Sequence, residues 1–265
     1  VSGEVQGARN GLVHAARVLS GLGLVTAFGH VSQRAGSSLL ITPAADLACV
    51  HADDLIEVRL DAAELPSGAP AEAWAHLHGY AARPDVGAIA RAQPPAAFAA
   101  AAALAGSHQL GRSATVTADQ GALPAWAAGR QSSPTSAADY TTAGAGPACL
   151  PLLHGQACWL GERVPVHDDA RLLRSAALAA AAAATLGQSN ALLLRGNGAL
   201  TCGDSAGLAV TRMWLVAAAC EAWLNAAATG VPRPMDAGEA ESWRAVQGEL
   251  LPRLWQHLSR TAATS

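Results

Sequence analysis

Apolar and polar positions alternate between helical and strand periods along this chain. Leu12, Ala15, Ala16 and Leu19 share one helical face, which predicts a helix over residues 7–22 that Gly21 and Gly23 close. Residues 28–34 read as a strand, Gly36-Ser37-Ser38 as a hairpin turn, and residues 39–41 as the partner strand, broken by Thr42-Pro43. A short strand follows over residues 53–61, then a loop over 65–70. Residues 72–82 predict a helix stopped by Arg83-Pro84-Asp85, residues 86–90 a strand, and Pro94-Pro95 opens a helix over 96–104.

The texture then changes. Residues 106–147 are rich in Gly, Ser, Thr and Ala with weak periodicity, and predict an insertion or lid, partly irregular, with a short strand at 113–117. Regularity resumes at 150–153, 159–161 and 164–166. A helix over 171–186 ends at Gly187. Residues 191–195 read as a buried strand, turned by Gly196-Asn197-Gly198 into a second over 199–202. A long helix spans 205–229, and a C-terminal helical extension at about 237–260 is interrupted by Pro252. Strands and helices that alternate, yet include hairpins, predict an α/β fold with helices on both faces of a sheet that is not purely parallel.

Composition narrows the function. A chain of 265 residues, 51% hydrophobic, suits one domain with a sizeable insertion. Charged residues are 14%, low for a free monomer, which points to a large core or an oligomer interface. A net charge of −3 and the lack of an Arg-rich block argue against nucleic acid as a partner. Val1-Ser2-Gly3-Glu4 lacks the basic-then-apolar pattern of a secretory signal, and the alanine runs at 96–105 and 176–186 are too short to cross a bilayer. No membrane partner is expected. Five scattered Cys without a CxxC fit reduced thiols and a cytoplasmic location. All 17 basic residues are Arg, so no lysine Schiff base can form with a carbonyl substrate or with pyridoxal phosphate.

Four segments, in order, carry a resemblance. They are residues 22–34 with Gly29-His30-Val31-Ser32-Gln33-Arg34; Leu40-Ile41-Thr42-Pro43; the run from Glu72 through Tyr80 to Arg83-Pro84-Asp85 and on to Gln93; and Leu193-Leu194-Arg195-Gly196-Asn197-Gly198. Over roughly residues 8–105 and 150–230 the chain resembles the class II aldolase/adducin family. The resemblance implies a three-layer α/β/α sandwich around a mixed, largely antiparallel sheet. It also implies a homotetramer with sites between subunits. The family holds a divalent metal, usually zinc, through a His-x-His pair and a third His in a later turn. Those positions here carry Arg91, Gln93 and Asn197, so the resemblance implies a degenerate site with no metal and no cofactor. The family's phosphate-binding positions carry His30, Ala44-Ala45 and Pro70-Ala71, which implies an unphosphorylated substrate. Residues 150–166 look most like decarboxylase- and dehydratase-type members.

Glu72 matches the family's proton-handling Glu. In an apolar cleft without a cation its pKa would rise, suiting a general base or acid, and Arg91 would offset that rise by pairing with it. The plainer role for Glu72 is to complement the helix dipole. Arg91 repels a divalent ion and suits bidentate binding of a substrate carboxylate, or else makes a structural salt bridge. Gln93 and Asn197 suit orienting a carbonyl or enolate, or have drifted after loss of metal. His30 is a candidate second proton-transfer group, or merely a solvated turn residue. His154 is placed in the same cleft as a substrate-binding residue. His76 and His78 diverge on their helix, although Glu72 and His76 share a face. Tyr80 packs against the sheet, and Tyr140 is placed to reach a neighbouring subunit's site.

The function expected is a metal-independent class II aldolase-like lyase, acting by proton transfer on a small unphosphorylated carboxylate or carbonyl compound. The catalytic residues would be Glu72 and His30, with Arg91, Gln93, Asn197 and His154 binding substrate. The alternative from another class is a non-catalytic, adducin-like binding or scaffold protein. A further alternative rebuilds a metal site from His30, His154 and Glu72.

Overall fold

The computed structural model describes residues 2–118 and 147–264. The elements run α1 (Ser2–Gly21), β1 (His30–Ala35), β2 (Ser38–Ile41), β3 (Ile56–Arg59), α2 (Ala73–Ala82), β4 (Ala88–Ala92), α3 (Pro95–Ala118), β5 (Cys149–Leu150), β6 (Val164–His167), α4 (Ala176–Leu186), β7 (Ala191–Leu194), β8 (Gly198–Gly203), α5 (Ala206–Thr229), α6 (Ala237–Arg244) and α7 (Gln247–Thr264). Their strands form one sheet in the order β3-β2-β1-β4-β8-β7-β6-β5. Every pairing is antiparallel except β6 with β7. The expected mixed, largely antiparallel α/β/α sandwich is what forms.

Two apolar layers explain the sandwich. Strands bury alternate residues on opposite faces. Val31, Ala88, Ala90, Leu193 and Ala199 join one layer with Leu12, Leu19, Val210 and Val216 of α1 and α5. Leu39, Ile41, Ile89, Leu192, Leu200 and Cys202 join the other, with Leu77 and Tyr80 of α2 and Leu186 of α4. α5 is long and apolar enough to cross a membrane by length and composition, but over half of its most apolar stretch is buried inside the fold.

The recurring arginines are structural ties. Arg34 donates to the carbonyls of Val86, Tyr80 and Arg83, fastening the β1–β2 hairpin to the end of α2. Arg83 pairs with Asp85 at 2.7 Å and donates to Ser189, anchoring the Arg-Pro-Asp turn beside α4. In the hairpin itself, Gly36 takes a φ of 62°, as its two-residue turn requires.

Several boundaries depart from expectation. α3 continues to Ala118, so residues 106–118 are helix, and residues 113–117 form no strand. The rest of the expected insertion, with Tyr140, lies outside the described residues. Residues 171–175 are not helical. Arg171 is held by Asp169, the Leu173 amide donates to Glu72 at 3.0 Å, and Ser175 caps α4 at the Leu178 amide. β3 is shorter than expected because residues 52–54 wind into a 3-10 turn, with the Asp54 carboxylate accepting from the His51 amide. The C-terminal helix breaks at residues 245–246 and not at Pro252, which sits within α7. At this break the Trp159 indole donates to the Trp243 carbonyl at 2.8 Å, which the Val246 amide reaches at 3.3 Å.

Candidate active site

β1 and β4 bring the polar residues together by register. His30 lies directly across from Arg91, and Ser32 across from Ile89, so these side chains share the face that α2 covers. Glu72 stands at the N-terminal end of α2 without a side-chain capping bond, and His76 and Tyr80 follow at one-turn intervals on the same helical face. Asn197 comes from the β7–β8 turn. Gly198, with φ 86°, lets that turn press so closely on β4 that an added Cβ would lie 2.2 Å from the Ala92 carbonyl.

Glu72 is the hub. Its Oε1 accepts from the Asn197 amide at 2.7 Å and the Leu173 backbone at 3.0 Å. Its Oε2 lies 3.1 Å from Arg91 Nη2 and 3.9 Å from His30 Nε2. Arg91 also donates to Asn197 Oδ1, which Gln93 reaches at 3.4 Å. Burial alone pushes the Glu72 carboxyl up, but His30, Arg91 and Asn197 together outweigh it and hold the pKa at about 2. The rise expected without a cation nearby is therefore reversed, by His30 first and then by the pairing with Arg91. Burial lowers the pKa of His30 and lowers that of His76 further, so both rings are neutral near pH 7.

Glu72, Arg91 and His30 open onto a cleft of about 250 Å³, completed by Ala27, Phe28, Gly29, Ala44, Ala45, Pro70, Ala71 and Arg174. The wall made by Ala44, Ala45, Pro70 and Ala71 offers no side-chain donor. Arg174 is exposed at this cleft and, among the described residues, has no carboxylate within salt-bridge distance. Phe28, 67% exposed, is the apolar feature of the mouth.

Glu72, His30, Arg91, Gln93 and Asn197 thus converge. His154 does not: it lines a different pocket of about 490 Å³ with Arg233, Glu239 and Trp243, because the 155–160 turn carries it to the α6 side. That placement also removes the metal site imagined from His30, His154 and Glu72. A divalent ion does not suit the residues present. The carboxylate is already tied to a guanidinium, the donors beside it are the His30 ring and the amides of Gln93 and Asn197, and no cluster of three His, Cys, Asp or Glu fit for a metal occurs among the described residues.

Two features escaped sequence reasoning. His76 is fully buried, its Nε2 2.6 Å from His30 Nδ1 and its Nδ1 2.7 Å from Ser32 Oγ, which lies 2.8 Å from the Tyr80 hydroxyl. The signal was the spacing of Glu72, His76 and Tyr80 on one helical face. Arg174 was hidden by the prediction of a helix across residues 171–175.

The class II aldolase and adducin N-terminal domain matches residues 10–224 of the chain. No curated protein matches the sequence. Among solved structures, an L-fuculose 1-phosphate aldolase superposes with a TM-score of 0.68 at 18% identity, covering 90% of this chain and 94% of its own. An aldolase II superfamily protein from Pseudomonas syringae gives 0.68 at 19% identity, over 96% and 91%. The L-fuculose 1-phosphate aldolase of Glaciozyma antarctica PI12 gives 0.65 at 19%, over 98% and 92%. At such identities the superpositions speak for the fold, whereas the domain match spans most of the sequence: the chain belongs to the class II aldolase and adducin family.

Proposed function

We propose that this protein is a metal-independent lyase that acts by proton transfer on a small, unphosphorylated carboxylate bearing a carbonyl or hydroxyl group. The observation that carries this reading is the Glu72–Arg91 pair at the floor of an open cleft, 3.1 Å apart. Glu72 is ionised at neutral pH and takes the proton. Once it is protonated, its negative charge has moved to the substrate, and Arg91 is left beside the new oxyanion with its own counter-ion neutralised. Charge is conserved and the stabilising cation is fixed in advance, which is where electrostatic catalysis gains most.

Arg91, 2% exposed and paired with Glu72, is too buried to be the first grip on a substrate. We assign that grip to Arg174, whose guanidinium is free to hold a carboxylate in two places. Asn197, bonded to Glu72 and Arg91 and backed by Gln93, holds that pair in position from behind the cleft lining. The donor-free wall of Ala44, Ala45, Pro70 and Ala71 disfavours a phosphate, which needs backbone or hydroxyl donors. An open cleft with a charged floor favours this reading over an adducin-like scaffold, in which side chains would fill the space. The family's multi-subunit organisation, a cytoplasmic setting and the absence of a resident metal belong to the same proposal.

The test is metabolite capture from a cell extract, read by mass spectrometry, for the protein and its Arg174→Ala and Glu72→Gln variants. A small carboxylate retained by the unaltered protein and lost by Arg174→Ala is expected. Glu72→Gln should retain it and turn it over ~10²–10⁴-fold more slowly. Selective retention of phosphorylated compounds, or retention that ignores Arg174, contradicts the proposal.

A further inference from the structure

Four polar side chains between the sheet and α2 form one continuous buried line. Tyr80 Oη lies 2.8 Å from Ser32 Oγ, Ser32 Oγ lies 2.7 Å from His76 Nδ1, and His76 Nε2 lies 2.6 Å from His30 Nδ1. His30 Nε2 then faces Glu72 and the cleft. Ser32 and His76 are fully buried, Tyr80 is 1% exposed and His30 5%. Each bond in such a line has one proton, so its direction at one end fixes the direction at every other.

The closed end decides. The Tyr80 hydroxyl, 1% exposed, has Ser32 as its side-chain partner, and among the described residues it makes no hydrogen bond to a carbonyl. Its own hydrogen must therefore point to Ser32. Burial holds that proton in place, raising the phenol further from ionisation. Ser32 then donates to His76 Nδ1. His76, neutral, donates from Nε2 to His30 Nδ1. His30, also neutral, is left with its proton on Nε2. The opposite direction would strand the Tyr80 hydrogen in the apolar layer with no acceptor, a defect that buried polar groups rarely tolerate.

We propose that Tyr80, Ser32 and His76 are positioning residues that lock His30 as the Nε2–H tautomer, making it a fixed hydrogen-bond donor to a substrate oxyanion. This rests on the reading of the cleft as a substrate site. A proton lost from His30 Nε2 could be replaced along the line only by leaving a buried phenolate at Tyr80. A proton gained is blocked, because Nε2 already carries one and Nδ1 already accepts from His76. Glu72 is then the group at the cleft floor that moves a proton. His30 and Arg91, paired across adjacent strands, bracket the oxygen that gains negative charge. The ligand class this fits is a carbonyl compound that passes through an enolate.

Nitrogen-15 NMR of the imidazole rings tests the assignment without a substrate. At pH 7.5 the unaltered protein should show His30 and His76 each protonated at Nε2 and unprotonated at Nδ1. Tyr80→Phe, which keeps the ring and its packing, should admit the Nδ1–H form of His30. Ser32→Ala should do so more fully. Added acetate, used as the oxyanion probe, should shift the His30 Hε2 resonance. A His30 protonated at Nδ1 or at both nitrogens in the unaltered protein overturns the proposal. So does a tautomer that ignores both substitutions, or an Hε2 resonance that acetate leaves unmoved. The tautomers of the unaltered protein and its variants are measured without any metabolite, so a failed capture experiment sinks the proposed lyase reaction and leaves that assignment intact.

Discussion

Glu72 carries a charge that four neighbours stabilise, and removing one of them should be costly. Its side chain is 12% exposed and that of Arg91 is 3% exposed. Arg91→Ala leaves a carboxylate largely shut from water without its cation, and should cost ~3–5 kcal/mol of stability, read by urea denaturation. The double variant Arg91→Ala/Glu72→Gln should recover much of that loss. A single variant as stable as the parent would show the pair to be unimportant. The same residues set the acid response. The folded pKa of Glu72, about 2, lies below its ordinary 4.5, so its stabilisation is complete above pH 4.5 and is lost as pH falls toward 2. That term is on the order of 3 kcal/mol. His30 and His76 are lowered from 6.5 by burial. Their neutral forms are therefore favoured by folding, and stability begins to fall as pH drops below 6.5. Thermal melts should show a decline that starts near pH 6.5 and steepens below 4.5, and a flat profile from pH 8 to 4 would contradict it.

Among the elements, the β7–β8 turn does the most to assemble the site. Gly198→Ala places a methyl against the Ala92 carbonyl and demands a positive φ of a residue that disfavours it. It should destabilise the protein by more than ~1 kcal/mol and loosen Asn197 from Glu72, visible as a less depressed Glu72 pKa by carbon-13 NMR. At α6, Asp236 and Glu239 form a reciprocal capping box with both bonds at 2.9 Å. Asp236→Ala should cost about 1 kcal/mol. What the sequence disclosed follows from how local each cause is. Helix faces, hairpin turns and the Arg-Pro-Asp stop depend on near neighbours, and α1, the β1–β2 hairpin and the β7–β8 pair emerge close to prediction. The start of α4 and the break before α7 are met by bonds from Glu72 and Trp159, residues far away in sequence, and no local pattern announces them. Glu72, Arg91, Gln93 and Asn197 were legible because they occupy positions set by a resemblance. The line through Ser32, His76 and Tyr80 was not, because a His two residues from another suggests divergence until strand register shows what lies opposite each ring.

The whole molecule combines the sheet architecture of its family with a cleft floor built on a carboxylate–guanidinium pair. Two apolar layers fix β1 against β4 and α2 across both, and with the β7–β8 turn that arrangement brings a carboxylate, a guanidinium and two amides to one place. Low overall charge and the family resemblance lead us to expect a homotetramer with clefts near subunit boundaries. Light scattering after gel filtration should return the mass of four chains, and a monomer at micromolar concentration would contradict that expectation. At the cleft floor, the proposed exchange of a dication for a guanidinium is tested most directly by elemental analysis of protein equilibrated with excess zinc and then desalted. A zinc content near zero, unchanged by Glu72→Gln, is the predicted result. One zinc per chain, lost on Glu72→Gln, would contradict it.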